Sequence, residues 1–429
     1  MPSVDLRSPA RLLRRAPDLR LLFGAGLVSM TGDYVLSVGL AYAVYALTGS
    51  TLASAAALLA AFVPQVLVGS VAGVFVDRWD RKRTMVVTNL LLAVGLLPLL
   101  FVTGTHQIWL VYVILAVQSA IEVFFSPAEQ AFLPRVVADA DLVAANGLNS
   151  QVRNVARLVG SGLGGVIAAT GGIRAVAVAD AITFLVAALL VARIRTAGRA
   201  VVESTGEEAA DVVRGRVAVL AEEWRVGFRT VTSNAVLRTL MIAMLITSTG
   251  EGIMGTLFAP YVRHVLHGSG QVYGVITGVQ AVGGVIGGFV VAVVAERWSP
   301  VTMVWIGSIL FGLIDLAIFL YPLLWVTPWP AAVGMIVVGL PGAVVVAGTM
   351  TLYQRNTTDE RRGRVFSLIS LAQAVSVVVG ATLGGFLGGP TGIMPILALQ
   401  GVGYVVAGLL VLARLGDRQA SLDLTPTRS

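Results

Sequence analysis

Thr31-Gly32-Asp33 sits inside one long apolar stretch, and Thr249-Gly250-Glu251 sits inside another about 218 residues later. Outward from that pair, the chain keeps answering itself at nearly the same offset. Asp77-Arg78-Trp79 follows the next apolar stretch, and Glu296-Arg297-Trp298 follows its counterpart. Val159-Gly160 with Leu163-Gly164-Gly165 returns as Val379-Gly380 with Leu383-Gly384-Gly385, about 220 residues on. Three anchors in one order, at nearly one spacing, describe two similar halves running in the same direction. Each half opens on an apolar stretch with an acid near its middle.

Composition excludes a soluble protein. Hydrophobic residues make up 56% of the 429, charged residues 12%, and mean hydropathy is +0.86. Soluble domains carry about 25% charged residues. The 48 glycines suit close helix contact in lipid. Cysteine is absent, so neither disulfides nor thiol chemistry enter. The net charge of +7 sits in loops, where the positive-inside rule accounts for it without nucleic acid.

A helix needs about 20 apolar residues to cross the hydrocarbon core. Twelve such spans are expected, at 19–47, 52–76, 84–103, 108–127, 147–170, 172–192, 234–262, 271–295, 300–321, 329–352, 364–388 and 392–414. The fold class is therefore an all-α integral membrane protein with twelve transmembrane helices in two six-helix pseudo-repeats. The N-terminal half covers 1–192 and the C-terminal half 234–429, joined by a cytoplasmic linker at 193–233. With a cytoplasmic N-terminus, only Arg174 and Arg263 lie outside, and 28 of the 30 basic residues lie inside or at inner helix ends. Both termini are expected inside. Parallel repeats of this kind are an architecture that secondary transporters use, with the binding path between the halves.

The linker begins polar and arginine-rich. Its end carries Leu220, Trp224 and Phe228 at i, i+4, i+8, with charges elsewhere. This is the pattern of an amphipathic helix, lying either on the membrane surface or on protein loops.

The loop after the second span reads Gly73-Val74-Phe75-Val76-Asp77-Arg78-Trp79-Asp80-Arg81-Lys82-Arg83. It resembles the loop signature of the major facilitator superfamily, G-x-x-x-D-R-x-G-R-R/K, with Asp80 where glycine is usual. The D-R-x-D-R-K form is similar to the macrolide-efflux and tetracycline/aminoglycoside-efflux branch of twelve-helix exporters. Ser126-Pro127-Ala128, Pro134, Ala145-Asn146-Gly147, Arg153-Asn154 and the Gly160–Gly165 run carry the same resemblance. It implies that Asp77 latches the halves when the cytoplasmic side is closed, capping a helix end of the other half near Arg364. The plainer alternative is that Asp77, Arg81, Lys82 and Arg83 only set topology.

Gly160-Ser161-Gly162-Leu163-Gly164-Gly165 also fits the dinucleotide pattern G-x-G-x-x-G. That pattern needs a strand before it and a βαβ setting, and here it lies in an apolar helix. It resembles instead the glycine-rich fifth-helix signature of drug–proton antiporters, with Ser161 replacing the usual proline. Gly160, Gly164 and Gly165 are expected to bring the fifth helix close to the opposing half, or simply to pack tightly.

Charged groups at bilayer depth are costly and generally face a cavity or a partner. Asp33, Glu122 and Glu251 fall in the first, fourth and seventh spans, which the resemblance implies are cavity helices. They are the candidate proton-coupling carboxylates, Asp33 foremost. Met30, Tyr34, Phe125, Met254, Phe258, Met350 and Tyr353 are the candidate cavity lining for an apolar or cationic ligand. Asp180 and Asp315, on helices the resemblance makes peripheral, are read as packing residues. Arg153 and Arg157 are placed to pair with Glu122 or Glu129. Gln118 and Ser119 stand where motif-bearing relatives carry an arginine. His264 and His267, at i and i+3, are read as interfacial histidines, with metal binding the alternative.

Neither a Walker loop, a catalytic triad nor HExxH occurs. The expectation is a non-enzymatic secondary exporter in a bacterial cytoplasmic membrane, working by alternating access on amphipathic or cationic small molecules against protons. No cofactor, metal or nucleic acid is expected, and the protein is expected to be monomeric. The alternatives are an exporter of one native metabolite or siderophore, or an uncoupled channel or scramblase.

Overall fold

A computed structural model describes residues 13, 15–138, 141–198, 225–389 and 391–423. Among the described residues the regular structure is entirely helical. The first half runs α1 (Pro17–Thr48), α2 (Thr51–Arg78), α3 (Arg81–Gly95, prolonged by the 3-10 turn Leu97–Phe101) and α4 (Ile108–Val136). One continuous run then spans Leu142–Ala192. Gly172 breaks it with φ 62°, a left-handed backbone that only glycine adopts freely, so α5 (142–171) and α6 (173–192) are separate helices. The second half holds α7 (Ala235–Pro260, continued by the π turn Tyr261–Val265), α8 (Gly270–Val294) and α9 (Pro300–Leu320). It ends with α10 (Trp329–Arg355), α11 (Asp359–Leu387) and α12 (Ile393–Asp423).

Ten described stretches are long and apolar enough to cross a membrane. One of them, Ala144–Ala192, contains both α5 and α6, and α2 supplies a further helix of 28 residues. The twelve expected spans are thus accounted for. Several helices outrun them: α4 continues through Pro127 and Pro134 to Val136, and α12 continues to Asp423.

Polar residues start the helices where the sequence turns apolar. Asp80 caps α3, its carboxylate accepting the N–H of Arg83 at 2.9 Å. Asn234 caps α7 through the N–H groups of Val236 and Leu237, and Ser299 caps α9 just before Pro300. Such caps satisfy backbone donors that a helix start leaves open.

The chain divides into two compact units, Met1–Leu47 with Ala60–Val213, and Thr48–Leu59 with Arg214–Ser429. This differs from the 1–192 boundary at the start of α2. Thr51 Oγ1 donates to the carbonyl of Gly385 at 2.9 Å, and Gly255 leaves room for Leu58, so this turn packs in the second unit. In the first unit Leu19, Leu22, Met85, Phe132 and Val191 form a core. In the second, Leu237, Leu240, Leu352, Val365 and Val411 form another.

The repeat recurs in the packing. A Cβ on Gly160 would collide with the carbonyl of Thr31, and one on Gly380 with the carbonyl of Thr249. Gly164 lies against Val35, its would-be Cβ 2.8 Å from the carbonyl oxygen, and Gly384 lies against Ile253. Glycine removes the side chain that would hold these backbones apart. Gly160 and Gly164 press on α1 of their own unit at Thr31–Val35, the tight packing that is one of the two expectations for the fifth helix. Gly162 meets nothing within 4 Å.

Of the linker, Leu220 and Trp224 lie outside the described residues. Residues 225–233 are helical, Gly227 rests on the carbonyl of Arg364, and Phe228 is 63% exposed.

Candidate functional site

In the first unit α1, α2, α3, α4, α5 and α6 surround a cavity of about 540 Å³. Asp33 and Glu122 line it together with Met30, Tyr34 and Phe125 from the expected set. Asp33 is half-buried and Glu122 exposed. Gln65, Asn89, Glu129 and Arg153 complete the polar wall. Glu129 is 5% exposed, lies beside Gly26 and feels the charge of Arg153. Asn89, 1% exposed, donates to the carbonyl of Met85 at 2.7 Å and leaves its Oδ1 unpartnered. Gln118 turns away, donating to the carbonyl of Leu92 in α3 at 2.8 Å.

Asp180 belongs to the same neighbourhood, which the packing role read for it from sequence did not foresee. It is fully buried in α6, accepts from Thr183 Oγ1 at 3.0 Å, and has an unpartnered Oδ2. Gly32 leaves the space that lets α1 rest on Asp180 and Thr183. Gly32 thus sets Asp180 against the residue next to Asp33, which shares its cavity with Glu122. A third acid at this depth was the available signal.

In the second unit Glu251 is exposed and accepts from the hydroxyl of Tyr404 in α12 at 2.7 Å. Met254 is half-buried and Met350 is 42% exposed. Phe258 and Tyr353 depart from the expected cavity lining. Phe258 is 4% exposed, stacks on Tyr261 and lies tilted against Tyr273. Tyr353 is 4% exposed and sits edge-on to Phe366 within the core. Aromatic packing holds both rings.

The loop after α2 does more than set topology. Lys82 Nζ donates to the carbonyl of Ile194 at 2.7 Å, and the N–H of Arg81 donates to the carbonyl of Gly198 at 3.2 Å. Asp18 at the start of α1 accepts from the N–H groups of Arg195 and Thr196 and from Thr196 Oγ1. The start of the linker is thereby fastened to the motif loop. Arg83 is exposed. The side chains of Gly73, Asp77 and Arg78 lie outside the described ones. Among the described residues no three His, Asp or Glu side chains gather as a metal would need.

A family model described as the Major Facilitator Superfamily matches residues 22–249 and 240–428. The chain belongs to the major facilitator superfamily. This makes it a multi-pass membrane transport protein and not an enzyme. Among superfamily relatives, YvqJ of Bacillus subtilis (strain 168), an uncharacterised MFS-type transporter, is 24% identical over 92% of each chain. BacE of Bacillus subtilis, whose name assigns it to bacilysin export, is 25% identical over 85% of this chain and 86% of its own. Macrolide efflux protein A of Streptococcus pyogenes is 25% identical over 39% of this chain and 42% of its own. The solved structures bear out the fold. A bacterial homologue of the iron transporter ferroportin, inward-facing, matches with a TM-score of 0.70 at 14% identity, covering 92% of this chain and 98% of the other. A point mutant of the peptide transporter POT matches with a TM-score of 0.74 at 14% identity, covering 94% of this chain and 95% of the other.

Proposed function

We propose that this superfamily member is a secondary active exporter of amphipathic, cationic compounds, driven by proton entry, in a bacterial cytoplasmic membrane with both termini inside. The observation that carries the reading is the meeting of Asp33 and Glu122 on one cavity with the aromatic and thioether side chains of Tyr34, Phe125 and Met30. About 540 Å³ suits a drug-sized ligand. Soft apolar walls accept varied shapes, and a carboxylate favours a positive one. A carboxyl group at bilayer depth holds its charge only with a partner, so it exchanges that charge for a proton readily. Proton and cation then compete for one site, which is the requirement for antiport. The efflux names of BacE and macrolide efflux protein A support the direction of transport, and the inward bias of arginine supports the orientation.

The test is accumulation of a lipophilic cationic dye in inside-out vesicles with and without an imposed pH gradient. Accumulation that needs the gradient supports the reading. Downhill equilibration alone places the protein with channels or scramblases.

A further inference from the structure

We propose that the C-terminal unit carries a proton-binding site of its own, in which Asp315 and Glu251 hold one proton between them around Tyr404 and Gln400. Its place in transport rests on the exporter reading, but proton binding itself does not, and is tested without flux.

The site follows from how the repeat is built and where it departs. In the first unit Gly32 precedes Asp33 and lies against Asp180 of α6. About 218 and 220 residues later, Gly250 precedes Glu251 and lies against Gln400 of α12, a would-be Cβ standing 3.0 Å from Gln400 Cα. The crossing is kept, but an amide replaces the acid of α6. The missing carboxylate comes from α9. Gly312 and Gly401 bring α9 and α12 into backbone contact. Phe311 stacks on Tyr404 with ring centroids 4.1 Å apart. One turn on from Phe311, on the same face, is Asp315, 1% exposed and with Oδ2 lacking any partner.

The four groups divide the labour. Tyr404 donates its hydroxyl to Glu251 Oε1 at 2.7 Å, and Gln400 donates its amide N–H to the same oxygen at 3.4 Å. Both donors favour an ionised Glu251, which is also the exposed member of the pair. Gln400 is fully buried and its Oε1 has no partner. Tyr404 links the two acids, stacked on Phe311 one turn before Asp315 and bonded to Glu251. A buried carboxylate beside another, without a partner for its second oxygen, carries a high cost while charged. The shared proton is assigned to Asp315, the buried member of the pair, with Glu251 the exposed one.

Few other titratable groups compete. On α7 and the π turn that continues it the basic residues are Arg238, about three turns before Glu251, and Arg263 and His264, about three turns beyond it; on α12 they are Arg414 and Arg418, more than two turns beyond Tyr404. The charged residues of α10 and α11 sit at one end, at Arg355 and from Asp359 to Arg364. Tyr261, beyond the end of α7, commits its hydroxyl to the carbonyl of Ile318.

The experiment is an infrared pH titration of protonated-carboxyl bands in the full-length protein in nanodiscs, sodium-free and then with sodium chloride. Wild type should show a carboxyl band that Asp315→Asn removes. Glu251→Gln should keep that band but release the proton at lower pH, because a neighbouring negative charge is gone. Tyr404→Phe keeps the ring against Phe311 and should move the same titration, which covers the case in which Asp315→Asn does not fold. A folded Asp315→Asn with every band intact overturns the proposal. So does a Tyr404→Phe titration identical to wild type, or displacement of the band by sodium at constant pH. Dye accumulation that ignores the pH gradient while these bands titrate as described would instead refute the exporter reading alone.

Discussion

Gly32 of α1 rests directly on the carboxylate of Asp180 in α6: a methyl group at position 32 would overlap Asp180 Oδ1 and Thr183 Oγ1. The glycine brings the two helices together one residue before Asp33. Gly32→Ala must push α1 away or force Asp180 out of its bond with Thr183. Overpacking of this kind costs about 1–3 kcal/mol. The melting midpoint in detergent should fall. Gly162→Ala, in a helix with nothing within 4 Å, should leave stability unchanged or raise it by up to about 1 kcal/mol, with the midpoint held or higher. Equal melting of the two variants would refute this account of the crossing.

The motif loop gives a second test. Asp80 accepts the N–H of Arg83 at 2.9 Å, so Asp80→Ala removes a helix cap and should cost about 1 kcal/mol. Asp80→Asn keeps an accepting oxygen and should cost less than half of that. Gly198→Ala should be worse than Asp80→Asn, because a Cβ there would stand 2.6 Å from the backbone nitrogen of Lys82. Thermal unfolding of the three variants ranks them, and Gly198→Ala at wild-type stability would contradict the fastening of the linker to this loop.

Glu122 should discriminate among ligands by charge. Its carboxylate lines the cavity with Phe125 and Met30. Glu122→Gln keeps the shape, so neutral amphiphiles should bind nearly as before. Cationic dyes should bind about tenfold more weakly or worse, the loss of a charge-assisted contact of about 1.5–3 kcal/mol. Fluorescence titration of matched cationic and neutral dyes reads the difference. Equal weakening of both classes would make Glu122 a structural residue.

The repeat was legible because glycines and acids interrupt apolar runs at fixed offsets. The same glycines proved to be the contacts of α5 with α1 and of α11 with α7. Span positions were legible from length alone. What the sequence hid was direction. An almost wholly apolar helix has no polar face to read, so nothing in the spacing of Asp180 or Asp315 said that α6 sets one acid against Gly32, next to Asp33, and that α9 sets the other one turn from the ring that stacks on Tyr404. Phe258 and Tyr353 failed for the same reason: a ring near an acid in sequence can still close against other rings. The departure of Asp80 from glycine is itself a signal, since aspartate before an apolar run is a helix start.

The central claim, that a carboxylate on α1 ties export to proton entry, is tested most directly by Asp33→Asn in inside-out vesicles loaded to an acid interior. Ethidium uptake is followed with a pH dye in the same sample. Wild type should accumulate ethidium against its gradient while the interior loses acid, and collapse of the pH gradient should stop both. Asp33→Asn, with an unchanged melting profile, should let ethidium equilibrate without accumulation and without acid loss. Uphill accumulation by Asp33→Asn at the wild-type rate, with the same proton traffic, would contradict the account.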